Sequence, residues 1–197
     1  MPRWDPRAEE RLREAALELY SERGYEHVTV AEITERAGLT RRTFFRYFTD
    51  KRDVLFAGSD RLGPTLAAAV LRADAALSPF EAVLSGLVQV GDLLTEQGSS
   101  IAVQRRAIVR SSPELQERSR TKFAAVADSL VDALERRGAP AAEARLLTEV
   151  GVALFREAFE RWTDAPGPAR FADHVHEVSA ELAAHLRVAD PHVPGGG

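Results

Sequence analysis

Between Leu39 and Lys51 the chain reads LTRRTFFRYFTDK, placing Arg41, Arg42, Arg46 and Lys51 among Phe44, Phe45, Tyr47 and Phe48. A guanidinium is a planar fork of donors. It can bond guanine O6 and N7 together, or grip a phosphate through two parallel hydrogen bonds. On a helix turning about 100° per residue, Phe44 and Phe48 share one face, with Leu39 joining them from the preceding turn. Arg42, Thr43 and Arg46 point away from that face, and Arg41 stands at the N-terminal tip. Phe45 and Tyr47 flank the apolar stripe. The pattern is that of a small helix anchored by rings and presenting cations, the chemistry of nucleic-acid contact. Taken alone it equally describes an amphipathic helix with a solvated charged face.

Other chemistry finds little support. His174 and His176 are spaced i, i+2, which puts them on different sides of a helix, and neither has a ligand-type residue at i+4. No metal site is expected. There is no glycine-rich phosphate loop and no nucleophile with an evident base, so no cofactor and no enzyme activity is expected. The chain has no cysteine, which removes disulfides and thiolate metal sites. No stretch reaches the roughly 18 apolar residues of a membrane span, and the N-terminus lacks a secretory apolar region. The expected setting is cytoplasmic, with no membrane partner.

The net charge of −4 over 197 residues argues against a nucleic-acid partner only until it is resolved along the chain. Residues 40–52 hold Arg41, Arg42, Arg46, Lys51 and Arg52 against Asp50 alone, a local excess of positive charge. Local fields are what bind phosphate.

The elements that must position these side chains are all helical. Asp5-Pro6 looks like a cap followed by proline at the first helical position, and Leu12, Ala15, Ala16, Leu19 and Tyr20 then recur at helical spacing up to Gly24. Thr29 and Glu32 form a capping-box pattern before a short helix with Ile33 and Ala37 inward. Gly38 breaks it, and Thr40 caps a second short helix over about Arg41–Phe48. Asp50 should cap a further helix through Val54, Leu55, Leu62, Leu66 and Ala69, kinked or split at Gly63-Pro64. Ser78-Pro79, Ser100, Ser112-Pro113 and Pro140 open four more, and a last one follows Pro166-Gly167-Pro168. About nine helices result. The expected fold is all-α, with an N-terminal three-helix, helix-turn-helix DNA-binding domain followed by a C-terminal helical bundle.

In order, residues 15–56 read AALELYSERGYEHVTVAEITERAGLTRRTFFRYFTDKRDVLF. Residues 7–56, which contain this stretch, resemble the DNA-binding domain of the TetR family of one-component regulators. The resemblance rests on the glycine and aromatic after the first helix, Thr-Val before the second, Ala-Gly-Leu-Thr at the turn, Thr-Phe-Phe-x-Tyr-Phe, and Lys51. It implies base contacts by Arg41, Arg42 and Thr43, and phosphate contacts by Thr29, Arg46, Tyr47 and Lys51. Phe45 departs from the tyrosine commoner in the family. Lacking a hydroxyl, it is expected to pack against sugar or protein. Arg3, in a flexible arm of residues 1–6, and Arg7 either add phosphate contacts or are merely solvated.

The resemblance implies a domain organisation: residues 1–50 bind DNA, residues 51–188 bind an effector and dimerise, and residues 189–197 form a disordered tail. A further stretch, QRRAIVRSSPELQERSRTKF from residue 104, resembles regulators of the mycofactocin-system type, whose effector domains are linked to acyl-CoA-like ligands. On that resemblance Arg105 or Arg106 meets a phosphate-bearing effector; alternatively one forms an internal ion pair and the other is solvated. Candidates to line an effector pocket are Leu66, Leu87, Val103, Arg106, Phe123, Val126, Phe155 and Phe159, each of which would serve equally as plain core. Leu147, Val150, Gly151, Leu154, Ala158 and Trp162 form one apolar stripe, and Phe171, Val175, Val178, Leu182 and Leu186 form another. Such stripes suit a four-helix isologous dimer, unless one of them serves only the monomer core. The expected function is a ligand-responsive, homodimeric repressor of a near-palindromic DNA operator. The rival is a helical small-molecule-binding or scaffold protein without DNA binding.

Overall fold

A computed structural model describes residues 7–96, 99–164, 167 and 169–188. The Asp5-Pro6 helix start, the arm of residues 1–6 and the tail of residues 189–197 lie outside them. Nine α-helices and no strand occur among the described residues: α1 (Ala8–Arg23), α2 (Val30–Arg36), α3 (Arg41–Tyr47), α4 (Leu62–Arg72), α5 (Pro79–Glu96), α6 (Ser99–Ser111), α7 (Pro113–Arg136), α8 (Ala141–Asp164) and α9 (Phe171–Val188). Two compact units divide the chain, one of residues 1–64 and 100–128, the other of residues 65–99 and 129–197.

In the first unit, α1 is the post on which the short helices hang. Leu12, Ala16, Leu19 and Tyr20 bury one face of it, against Ile33 of α2 and Phe44 of α3. Helices of about seven residues do not persist alone in water. Ile33 and Phe44, both 0% exposed, supply the missing stability, each worth about 1.5–3 kcal/mol when fully buried. The same core takes in Val54, Leu55 and Phe56 after α3, Ile108 of α6 and Leu115 of α7.

One expected helix is corrected. The chain after Asp50 does not run helically to Gly63. It makes a 3-10 turn over Asp53–Phe56, turns at Gly58, makes a second 3-10 turn over Ser59–Arg61, and only then enters α4. Gly63 and Pro64 fall in the first turn of α4, where a proline removes no helical hydrogen bond. They neither kink nor split it; the interruption lies earlier, at Ala57-Gly58.

In the second unit, α5, α8 and α9 pack together around Leu87, Leu154, Trp162 and Phe171. Phe155, Phe159, Trp162 and Phe171 form a ring cluster, with Phe155 and Phe171 centroids 5.3 Å apart and Trp162 and Phe171 5.8 Å apart. Gly91 of α5 makes this possible, because a Cβ there would lie 2.3 Å from Phe171 Cδ1. Arg137 donates to the carbonyls of Val70, Ala73, Asp74 and Leu77 at 2.8–3.3 Å, satisfying backbone acceptors at and beyond the end of α4.

Candidate nucleic-acid interface

The helix-turn-helix is built from paired caps. Thr29 accepts from Glu32 N at 3.3 Å, while Glu32 Oε2 accepts from Thr29 N at 2.8 Å and from the Thr29 hydroxyl at 2.7 Å. Those bonds from Thr29, the side-chain one first, hold the Glu32 carboxyl below its ordinary pKa. At the other end of α2 the chain closes a Schellman turn: Leu39 N donates to Thr34 O at 2.8 Å, and Gly38 N to Glu35 O at 3.0 Å. Gly38 sits at φ +63, the left-handed region that a side chain disfavours. Arg11 of α1 donates to Ala37 O, which ties the turn back to the post.

Thr40 then caps α3, accepting from Thr43 N at 3.1 Å, and its hydroxyl lies 3.0 Å from that of Thr43. Phe44 and Phe48 point inward at 0% and 5% exposure, their rings 5.4 Å apart. Arg41 and Arg42 are exposed at the tip of α3. Neither guanidinium meets an acidic partner among the described residues, and the first turn of α3 contains no acid. Thr43 is half-buried beside them, with its hydroxyl already turned toward Thr40. Arg46 donates to the Tyr47 hydroxyl at 2.9 Å and lies 4.8 Å from that ring's centroid. The Tyr47 hydroxyl so accepts from Arg46 and keeps its own hydrogen free to donate. Phe45 is 52% exposed, its ring edge-on to Phe44 at 5.4 Å.

Lys51 is placed differently from its expected role as a phosphate grip. Its ammonium donates to the carbonyls of Tyr25, Val28 and Glu26 at 2.9, 3.0 and 3.4 Å and sits 4.3 Å from the Tyr25 ring centroid. An ammonium has three hydrogens, and all three are committed to backbone. Lys51 therefore staples the segment between α1 and α2 to the chain after α3. Tyr20 completes the joint by donating to Lys51 O at 2.7 Å, and burial drives its own pKa far above the ordinary tyrosine value.

Asp50 accepts from Arg52 N and Asp53 N at 2.8 and 3.2 Å and also pairs with the Arg52 guanidinium. The side-chain bond from Arg52 holds its carboxyl below the ordinary range. Burial pushes Asp53 up, but bonds from Thr49 and Arg118 outweigh it and leave Asp53 low as well. Arg52 and Tyr25 both reach Glu114, at 2.8 and 3.2 Å, and Ser112 donates to Glu26 at 3.0 Å. Ser112, Glu114 and Arg118 do not stand out in the sequence, because their partners Glu26, Arg52, Tyr25 and Asp53 lie tens of residues away and no local spacing signals them.

The remaining candidates divide between the two units. Of the expected pocket residues, Leu66, Leu87, Phe155 and Phe159 belong to the second unit, and Val103, Arg106, Phe123 and Val126 to the first. Leu66, Leu87 and Phe155 are core, at 4%, 1% and 8% exposure. The expected dimer stripes need correction on physical grounds. Leu154, Ala158, Trp162, Val175 and Val178 are buried inside the monomer, so they have no surface left to cover with a second copy. Leu147, Val150 and Leu182 are half-buried, while Leu146 and Leu186 are exposed. His174 lies 3.3 Å from Glu177, and His176 is exposed. No cluster of three metal-capable side chains occurs among the described residues, and no helix there is long and apolar enough to cross a membrane.

A three-helix unit with an exposed cationic recognition helix defines a helix-turn-helix DNA-binding module, the class into which comparison with known proteins also places the chain. Residues 12–57 match the family model of the bacterial regulatory proteins, tetR family. Over 117 residues the chain is 31% identical to the HTH-type transcriptional regulator TcmR of Streptomyces glaucescens, covering 56% of this chain and 52% of that one. It thus spans about half the length of that relative. It is 25% identical over 157 residues to the putative mycofactocin biosynthesis transcriptional regulator MftR of Mycobacterium tuberculosis, covering 77% of each. Its fold is similar to that of FadR from Bacillus subtilis, solved with stearoyl-CoA, with a TM-score of 0.61, 19% identity, and coverage of 88% of this chain and 96% of that one. The chain is thus similar to regulators of the tetR family, and the match to the family model lies in its N-terminal residues 12–57.

Proposed function

We propose that the protein is a homodimeric transcriptional repressor that leaves a near-palindromic operator when it binds a small molecule. The observation that carries this reading is the pair Arg41 and Arg42, exposed and without acidic partners among the described residues, on a helix whose other face is locked into the core. Base contacts fall to Arg41, Arg42 and Thr43, and phosphate contacts to Thr29, Arg46 and Tyr47, with residues 1–50 as the DNA-binding domain. Lys51 serves by holding the domain in shape. Two copies place their recognition helices in successive major grooves, about 34–36 Å apart.

Residues 51–188 take the effector and the second protomer. Similarity to MftR, and to a FadR solved with stearoyl-CoA, supports an effector of acyl-CoA-like chemistry. Such a ligand acts through its different affinity for the two states, a coupling of about 1–3 kcal/mol in typical systems. Similarity to a family of regulators weighs against an enzyme, and the cationic tip weighs against a scaffold that has abandoned DNA. A footprint across the DNA flanking the gene is the direct test: a protected, two-fold symmetric site is expected, and its absence sinks the proposal.

A further inference from the structure

Phe45 breaks the pattern of the rings on α3. Phe44 and Phe48 are buried, and Tyr47 is half-buried with Arg46 bonded to its hydroxyl and set beside its ring. Phe45 is 52% exposed. The other large apolar side chains exposed among the described residues are Leu93, Ile101, Leu146 and Leu186. Phe45 is thus the one aromatic among them and the one on the helix-turn-helix.

Its position on α3 is specific. At about 100° per residue, Phe45 projects about 40° from Arg41 and about 60° from Arg42. It therefore lies between the two exposed arginines, one turn further along the helix. The ring is held in place. It stands edge-on to Phe44, with centroids 5.4 Å and planes 81° apart, and Phe44 packs at 5.4 Å against Phe48 in the core. An edge-to-face pair is favourable beyond the area it buries. The result is a fixed apolar surface set among cations.

Three kinds of partner can cover such a ring. A protein surface needs about 800 Å² on each side, and no second large apolar side chain is exposed on α1, α2 or α3 to extend the patch. A phosphate accepts hydrogen bonds, and a phenyl ring has none to donate. A base edge in the major groove offers one apolar group, the C5-methyl of thymine, and phenylalanine is among the side chains that contact it. If the arginines on both sides of Phe45 reach base edges, the ring between them does too. We propose that Phe45 is a specificity-determining residue that packs on the C5-methyl of a thymine. That role differs from the sugar or protein packing expected of a ring without a hydroxyl. It rests on the DNA-binding reading above. Four residues of helix advance about 6 Å, close to two base pairs at about 3.4 Å each. With α3 lying along the groove, the thymine falls about two base pairs from the base met by Arg41.

Deoxyuridine in place of thymine removes this methyl and leaves pairing, sugar and phosphate unchanged. The full chain first selects its site from a pool of random-sequence duplexes. Each thymine of that site is then replaced in turn, symmetrically in both half-sites, and affinity is read by gel-shift titration. One buried methyl corresponds to about fourfold in each half-site, so one such replacement is expected to weaken binding about fifteenfold. Phe45→Ala should bind the thymine and deoxyuridine duplexes almost equally, and Phe45→Leu should keep part of the difference. Measuring parent and variant on both duplexes cancels any effect of deoxyuridine on the DNA itself. If Phe45→Ala fails to fold, Phe45→Gln carries the same comparison. A selected site that depends on no thymine methyl, or a methyl dependence that survives in Phe45→Ala, overturns the proposal and leaves the DNA-binding reading standing. A sugar contact gives the first of these outcomes, with Phe45→Ala weakening both duplexes alike. If the pool yields no enriched sequence, the DNA-binding reading itself fails and takes the proposal with it.

Discussion

Arg42 and Lys51 carry the same charge close together in sequence, yet their surroundings give them opposite duties. Arg42 is exposed, with no ion-pair partner among the described residues. Arg42→Ala is expected to leave stability almost unchanged and to cost about 1–3 kcal/mol of discrimination between operator and mismatched DNA. Competition binding across operator variants checks this, and a uniform loss on all sequences would show a phosphate contact instead. Lys51 is committed to the carbonyls of Tyr25, Glu26 and Val28. Lys51→Met should lower stability by at least about 1.5–3 kcal/mol, the worth of a hydrogen bond to a charged group, as read from urea unfolding. If Lys51→Met is instead fully stable and only weakens binding to every DNA sequence, the phosphate grip implied by the family resemblance is the correct role. Residue type alone distinguishes neither duty, because a lysine that binds phosphate and one that binds carbonyls are the same letter.

At the scale of elements, the helix-turn-helix was legible because its signals are local. The Thr29–Glu32 box, Gly38 and the Thr40 cap all act within a few residues, and the structure forms each of them. Gly38→Ala forces a Cβ onto φ +63 and brings it 3.0 Å from Arg11 Nη2. A loss of at least about 1 kcal/mol is expected, visible as a lower unfolding midpoint. The segment after α3 departs from the helix its sequence suggests because its apolar residues recur at helical spacing even though 3-10 turns and Gly58 interrupt it. What holds it are two carboxyls, Asp50 and Asp53, reached by Arg52 and by Arg118, the latter 65 positions along the chain. Both carboxyls sit below the ordinary value of 3.8 in the folded protein. The unfolded state therefore binds the more protons in acid. Their stabilisation is full above the unfolded pKa and disappears as pH falls from about 4 through the lower folded values. Asp53→Asn should flatten that part of the stability curve, and an acid transition identical to the parent's would show that Asp53 does not contribute.

For the whole molecule, burial separates two kinds of apolar stripe that look alike in sequence. Trp162, Ala158 and Val175 recur at helical spacing just as an interface would, but they close the α5, α8 and α9 core of the monomer. Substituting them tests folding and says nothing about assembly. The apolar residues left outside on α8 and α9 are Leu146 and Leu186, at 64% and 65% exposure, with Leu147, Val150 and Leu182 half-buried beside them in sequence. Single exposed leucines need no explanation. A pair on the two helices proposed to meet a second protomer does make a specific prediction, because an isologous contact uses each residue twice. Leu146→Glu with Leu186→Glu places four carboxylates in the interface of a dimer and none in the core of a monomer. Sedimentation should then show a folded monomer with an unchanged helical signal. Gel shift should show operator affinity falling far more for the full two-fold site than for a half-site. If the doubly charged variant stays dimeric, the outer faces of α8 and α9 are not the interface, and a symmetric operator must be read through another pair of surfaces.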